Sequence, residues 1–309
     1  MWMNPILRNE LKLNARTLRL PLVLMLYNLV LSCVAILSIA SLRNQYEAGY
    51  PIQYEDIMEI FKILGWIQCI LVCFMVPILT ASAIAGEREK QTLDIMLTTS
   101  IRPFRIVLGK LLASMCTVCI LVISSIPILS VAFLFGGMDW KDMLKFLLVI
   151  IAISIFVGSI GIFFSSLVKK TPIAIVLSFA VLGIFVFGTI FFFQIIDHIY
   201  RTLSYDVMSN DMKQLDISGT SLFMLMNPII FFFDFMEKSA GGVGIAENLT
   251  TWFRVSSTGS LYEFAEKWWM PVSLLVQVGL AIFFLIGASL LINPLKFQRK
   301  GKRKKRKVR

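Results

Sequence analysis

Six long apolar runs alternate with polar, charge-bearing segments along the chain. They fall at about 20–40, 63–85, 106–135, 143–168, 172–196 and 271–293. Each has about the 20 residues that an α-helix needs to cross the hydrocarbon of a bilayer. Backbone in lipid must satisfy its own N–H and C=O groups, which leaves helices and closed barrels as spanning structures. The pattern therefore predicts an all-α integral membrane protein with six transmembrane helices, in one domain over 1–295 followed by a basic tail at 296–309. Proline positions refine the picture. Pro21, Pro172 and Pro271 are expected in first helical turns, with Thr171 as N-cap of the fifth span. Pro77 and Pro127 lie inside spans two and three and predict kinks there. A shorter run at 222–236 is interrupted by Asn227-Pro228 and carries Asp234. It predicts a re-entrant or interfacial helical element before span six rather than a seventh crossing. That element belongs to a long segment at 197–269, whose Trp252, Trp268 and Trp269 are expected at headgroup level.

Composition agrees with the pattern. Of 309 residues, 57% are hydrophobic and only 16% charged, and mean hydropathy is +0.79. Soluble domains carry about a quarter charged residues. Charge then orients the spans, because basic residues collect on the cytoplasmic side. With the N-terminus inside, the segments 1–20, 86–110, 169–170 and 294–309 hold 21 of the 30 Lys and Arg residues but only Glu10, Glu87, Glu89 and Asp94 among the acids. Both termini are expected in the cytoplasm of a plasma-membrane protein, and the long 197–269 segment outside. The first span, flanked by Arg8, Lys12, Arg16 and Arg19, reads as a retained helix rather than a signal peptide. Before it, Ile6, Leu7, Leu11 and Leu13 alternate with charged positions, which suggests a helix lying in the membrane interface.

The most distinctive stretch is Gly86-Glu87-Arg88-Glu89-Lys90-Gln91-Thr92-Leu93-Asp94-Ile95-Met96-Leu97, between spans two and three. Leu93, Met96 and Leu97 share one helical face. Glu87 and Glu89 are expected in the first turn of a separate short helix, where the helix dipole favours acids, with Gly86 turning the chain as it leaves the membrane. So short a helix needs something to pack against.

This stretch, with Leu97-Thr98-Thr99-Ser100 and Leu108-Gly109-Lys110-Leu111-Leu112, resembles the hallmark region of ABC transporter permeases of the ABC-2 exporter type. Asn4-Pro5-Ile6-Leu7-Arg8-Asn9-Glu10-Leu11 resembles the same family's cytoplasmic elbow. The resemblance implies a permease subunit forming the translocation path of an ATP-driven exporter. Residues Glu87, Arg88, Glu89, Lys90, Leu93, Met96 and Leu97 would belong to a cytoplasmic coupling helix docking into a separate nucleotide-binding subunit. Asn4, Leu7, Glu10 and Leu11 of the elbow would contact the same subunit. Two ATPase subunits, holding ATP and Mg, and a second permease, identical or homologous, would complete the particle. The long basic tail departs from many relatives.

No cofactor is expected on this chain, and no catalytic group stands out. A phosphate loop needs glycine amides before its lysine and a hydroxyl after it. Around Gly109-Lys110, Phe104 occupies the earlier glycine position and Leu111 follows the lysine. The single histidine, His198, reads as a solvated helix end. Cys116 and Cys119 have redox or zinc spacing but no second pair, so all five cysteines read as small hydrophobes. The tail, with ten basic residues beside a span, suits anionic lipid better than nucleic acid. Neutral polar residues inside spans are candidates for a substrate path: Asn28, Ser32, Gln68, Ser178 and Gln194. Ser154, Gly158, Gly161 and Ser165 of span four suit close helix packing. A self-contained secondary transporter or channel, or a non-transporting membrane scaffold, remain the alternatives on sequence alone.

Overall fold

A computed structural model describes residues 19–93, 103–134, 140–206, 218–253 and 260–292. The elbow residues Asn4, Leu7, Glu10 and Leu11, the positions Met96 and Leu97, and the basic tail lie outside them. No strand occurs among the described residues, and six helices are long and apolar enough to cross a membrane. Span one is Arg19–Glu47 and span two is Tyr54–Glu89. Span three is Pro103–Ser124 continued by Ile126–Leu134, and span four is Trp140–Leu167. Span five is Thr171–Gly183, a π-helical turn Ile184–Gly188, and Thr189–Asp206. Span six is Ser260–Ile292.

Spans two and four form the centre. They run parallel, as two spans separated by one other must, and pack in one register. Contacts between them along their shared length join residues 80 or 81 positions apart. Small residues allow the approach. A Cβ on Gly161 would lie 2.0 Å from Thr80 Oγ1, and one on Gly158 would lie 2.9 Å from Met115 of span three. Ser165 Oγ accepts from the backbone N–H groups of Ile84 and Ala85 at 2.9 and 2.8 Å. Gly158, Gly161 and Ser165 thus take the close-packing role that small residues have where lipid supplies no hydrophobic drive. Ser154 instead donates to Ile150 O in its own helix.

Several boundaries differ from expectation. Span two runs well past 63–85. Its 36 residues are about 54 Å long at 1.5 Å per residue, against a hydrocarbon core of about 30 Å. Pro77 stays inside this continuous helix, whereas span three does break, at Ser125, two residues before Pro127. Pro271 is not in a first turn. It lies inside span six, which begins eleven residues earlier in a helix-forming stretch containing Ala265, Glu266 and Lys267. Lys170, not Thr171, is the N-cap of span five. The Thr171 hydroxyl is occupied as a donor to Glu89, so it does not cap its own helix.

The 222–236 run does break at Asn227-Pro228. A 3-10 helix Ser218–Met226 precedes it, and a helix Pro228–Ser239, here named the outer helix because it meets span two at Lys62, far along that span from Glu87, follows, then Ile245–Phe253. Asp234 is fully buried and accepts from Lys238 Nζ at 2.9 Å and Ile245 N at 2.8 Å. Burial pushes its carboxyl above the usual range, against the pull of both bonds. Gly244 makes room for it, at φ +76 with its Cβ position 2.2 Å from Asp234 Oδ1. Gly244→Ala should therefore displace the carboxylate and lower the unfolding midpoint in detergent, by about 1–3 kcal/mol of stability. An unchanged midpoint would contradict this packing. Trp269 is not a surface anchor. It is fully buried beside Phe193, Met224 and Leu249, while Trp268 is exposed.

Candidate functional site at the foot of span two

The distinctive charged stretch begins inside the span-two helix, not in a helix of its own. Glu87 and Glu89 occupy its last turn. Glu, Arg and Lys are good helix formers, so nothing stops the helix where the apolar run ends. The chain turns instead at Lys90 and Gln91, with Gln91 at φ +59. Gly86 meets little around it and is not the turning point.

Three successive side chains of this last turn reach three other spans. Glu87 Oε1 pairs with Lys110 Nζ of span three at 3.0 Å, and Lys110 is only 3% exposed. The other Glu87 oxygen accepts from the Thr92 hydroxyl, which bonds the Glu87 carbonyl as well. One carboxylate thereby fixes the chain just past the turn and the base of span three. Arg88 Nη1 donates to Val168 O, at the end of span four, at 3.3 Å. Glu89 accepts from Thr171 N at 2.8 Å and from the Thr171 hydroxyl at 3.0 Å. Thr171 N is the first N–H of span five, so Glu89 supplies that helix with the anionic partner its N-terminus favours.

The remaining expected site residues are placed differently. Lys90 is exposed, and Leu93 is buried in this chain's own core. Among the path candidates, Asn28 Nδ2 donates to Leu24 O and to Ser124 Oγ, linking spans one and three. Ser178 donates to Ala174 O within its own helix. Ser32 is half-buried and Gln194 is exposed. Gln68 is fully buried, and neither amide atom has a hydrogen-bond partner. None of these five bonds to another. Sequence reasoning missed Lys110 and Thr171 as partners of the acidic residues. The signal for Lys110 was present, since a lysine at the start of an apolar span calls for a counter-charge.

A family model described as ABC-2 family transporter protein matches residues 5–237. The chain belongs to that family. The match takes in the whole charged stretch from Gly86 to Leu97 and the Asn227-Pro228 break. No curated protein matches the chain. This ABC-2 protein is a multi-pass membrane permease of an ABC transporter system, and the contacts of Glu87, Arg88 and Glu89 lie within the residues the family model matches. The ABC-2 permease thus carries, at one end of its longest helix, a charged turn joined to three neighbouring spans.

Proposed function

We propose that this permease is the membrane-spanning half of an ATP-driven exporter, moved by separate ATPase subunits that dock on the stretch from residue 87 to residue 97. Two such ATPases bind ATP and Mg, and a second permease, identical or homologous, shares the translocation path. Both termini lie in the cytoplasm of a plasma-membrane particle, and the basic tail sits on anionic lipid. The observation that carries this reading is the charged turn at the foot of span two, whose three consecutive side chains grip spans three, four and five. A load applied there reaches most of the bundle at once, as a rigid-body coupling requires. Exposed Lys90, with Met96 and Leu97 assigned from the sequence pattern alone, would supply the docking contacts, and the sequence assigns Asn4, Leu7, Glu10 and Leu11 to the same partner. Asn28, Ser32, Gln68, Ser178 and Gln194 stand as path candidates, Gln68 foremost because its buried amide has open hydrogen-bonding capacity.

The test is co-expression with a phosphate-loop ATPase from the same genetic neighbourhood. The ATPase should co-purify with the wild-type chain. The combined Lys90→Ala, Met96→Ala and Leu97→Ala variant should lose it at least tenfold while still inserting in the membrane. Solute movement by the purified chain alone in liposomes would instead establish a self-contained transporter and overturn the proposal.

A further inference from the structure

Span five packs against spans two and four, and polar contacts hold it at two levels besides. At its start, Thr171 is held by Glu89 of span two. Thirteen helical residues later its regular winding ends, and Ile184–Gly188 form a single π-turn before the helix resumes at Thr189. Such turns disturb the hydrogen-bond ladder and mark places where a helix can change its path. Here the turn is met by one side chain from the outer element. Asn227 Nδ2 donates to Val186 O and to Thr189 Oγ1, both at 2.9 Å. Its Oδ1 accepts from Ile229 N at 2.9 Å and Ile230 N at 3.3 Å, capping the helix Pro228–Ser239. Asn227 is fully buried, so both ends of its amide are committed, one to each helix.

The capped helix returns to span two. Glu237 pairs with Lys62 at 3.0 Å. Phe232 meets Trp66 edge to face with centroids 5.0 Å apart, and Met236 packs against Gly65. Spans two and five are therefore linked twice by polar contacts: directly by Glu89 at Thr171, and through the outer helix by Asn227 midway along span five. The π-turn sits at the second link, thirteen residues beyond the first, and much of span five is otherwise exposed.

We infer that Ile184–Gly188 is the joint of span five and that Asn227 is its latch. Displacement of the charged turn tilts the first half of span five, the helix bends at the π-turn, and Asn227 passes the bend to the outer helix. Asn227 is a positioning residue. The source of the motion rests on the exporter reading above; the joint and the latch do not.

Two variants isolate the latch. Asn227→Ser keeps a short N-cap acceptor but cannot reach span five, and Thr189→Val removes one acceptor at nearly constant volume. Spin labels are placed on Val176→Cys with Phe191→Cys, and on Phe191→Cys with Ala240→Cys, in a background lacking the five native cysteines. The permease–ATPase complex is studied in nanodiscs by pulsed dipolar spectroscopy. Without nucleotide, the 191–240 distance distribution should broaden in both variants; a distribution identical to wild type overturns the latch, whatever drives the transporter. With a non-hydrolysable ATP analogue and Mg, the 176–191 distance should shift in the wild type, and the 191–240 distance should follow it only while Asn227 is present. A 176–191 distance that stays fixed while other spans move overturns the joint. If no span moves with nucleotide, the exporter reading fails, and the nucleotide-free comparison still decides the latch.

Discussion

Replacing Gly161 by leucine should abolish recovery of folded permease. The glycine faces span two at its closest approach, where an added Cβ would lie 2.0 Å from Thr80 Oγ1 and 2.9 Å from Thr80 Cβ. Thr80 cannot turn aside without loss, because its hydroxyl donates to Val76 O at 2.7 Å. The Ala81 backbone nitrogen, 3.3 Å from the same position, limits movement on the other side. The two helices would have to separate, and separation strains the contacts that share their register: Ser165 on the Ile84 and Ala85 N–H groups, and Arg88 on Val168. Overpacking of a tight interior usually costs about 1–3 kcal/mol; leucine, with three carbons beyond Cβ, should exceed that range, and Gly161→Ala should fall within it. Gly279→Leu is the control, since its Cβ position meets nothing within 4 Å. In fluorescence-detected size exclusion from mild detergent, Gly161→Leu should give no monodisperse peak, Gly161→Ala a peak with a lowered melting midpoint, and Gly279→Leu a normal one. A monodisperse Gly161→Leu protein with the wild-type midpoint would mean that spans two and four do not pack through this glycine.

Such close-packing positions were legible in the sequence because their signal is local. Small residues recurring along an apolar helix suit helix contact whatever lies opposite, and Gly158, Gly161 and Ser165 needed no partner to be picked out. The six spans and the break at Asn227-Pro228 were legible for the same reason: hydrophobic runs and proline report on their own segment. Other features depend on distant residues. The end of span two was misread because an apolar run marks where hydrocarbon stops, whereas a helix stops only when its caps or backbone conformation end it. Glu87-Arg88-Glu89 continues the helix, and Gln91 in a left-handed conformation ends it. The inward partners of the acids lie 23 and 82 residues away, so periodicity carries no trace of them. Trp268 and Trp269 are adjacent and alike, and only the packing of Phe193, Met224 and helix Ile245–Phe253 against span six separates the exposed one from the buried one. The π-turn is preceded by Gly183 and ends on Gly188, but glycines are common in membrane helices and do not announce a joint.

Replacing Glu87 by alanine should destabilise the permease more than replacing Lys110 by methionine, and, on the exporter reading proposed above, the double variant should recover stability without recovering coupling. The asymmetry follows from burial. Lys110 is 3% exposed, while Glu87 is 24% exposed. Removing the carboxylate takes a counter-charge away from an ammonium in a poorly solvated site, a loss of up to about 3 kcal/mol, the lower end of what breaking a buried pair costs, because one side of the pair meets solvent. Removing the lysine leaves a carboxylate that can turn to water and keep Thr92, at a cost of about 1 kcal/mol. Methionine fills the volume of the lysine stem without a charge, so Glu87→Ala with Lys110→Met removes both charges of this pair together and should melt nearer to wild type than Glu87→Ala alone, as buried ion pairs often do when both charges are replaced. Thermal midpoints of the four proteins give the coupling energy between the two positions. A purely structural pair would end there, with ATPase stimulation and transport restored alongside stability. If Glu87 also carries the load from the docking stretch into span three, the stable double variant should still retain its ATPase partner while its ATP turnover no longer responds to the membrane half. Restored stability together with wild-type turnover and transport would reduce the pair to scaffolding, and equal melting of the two single variants would refute the burial argument itself.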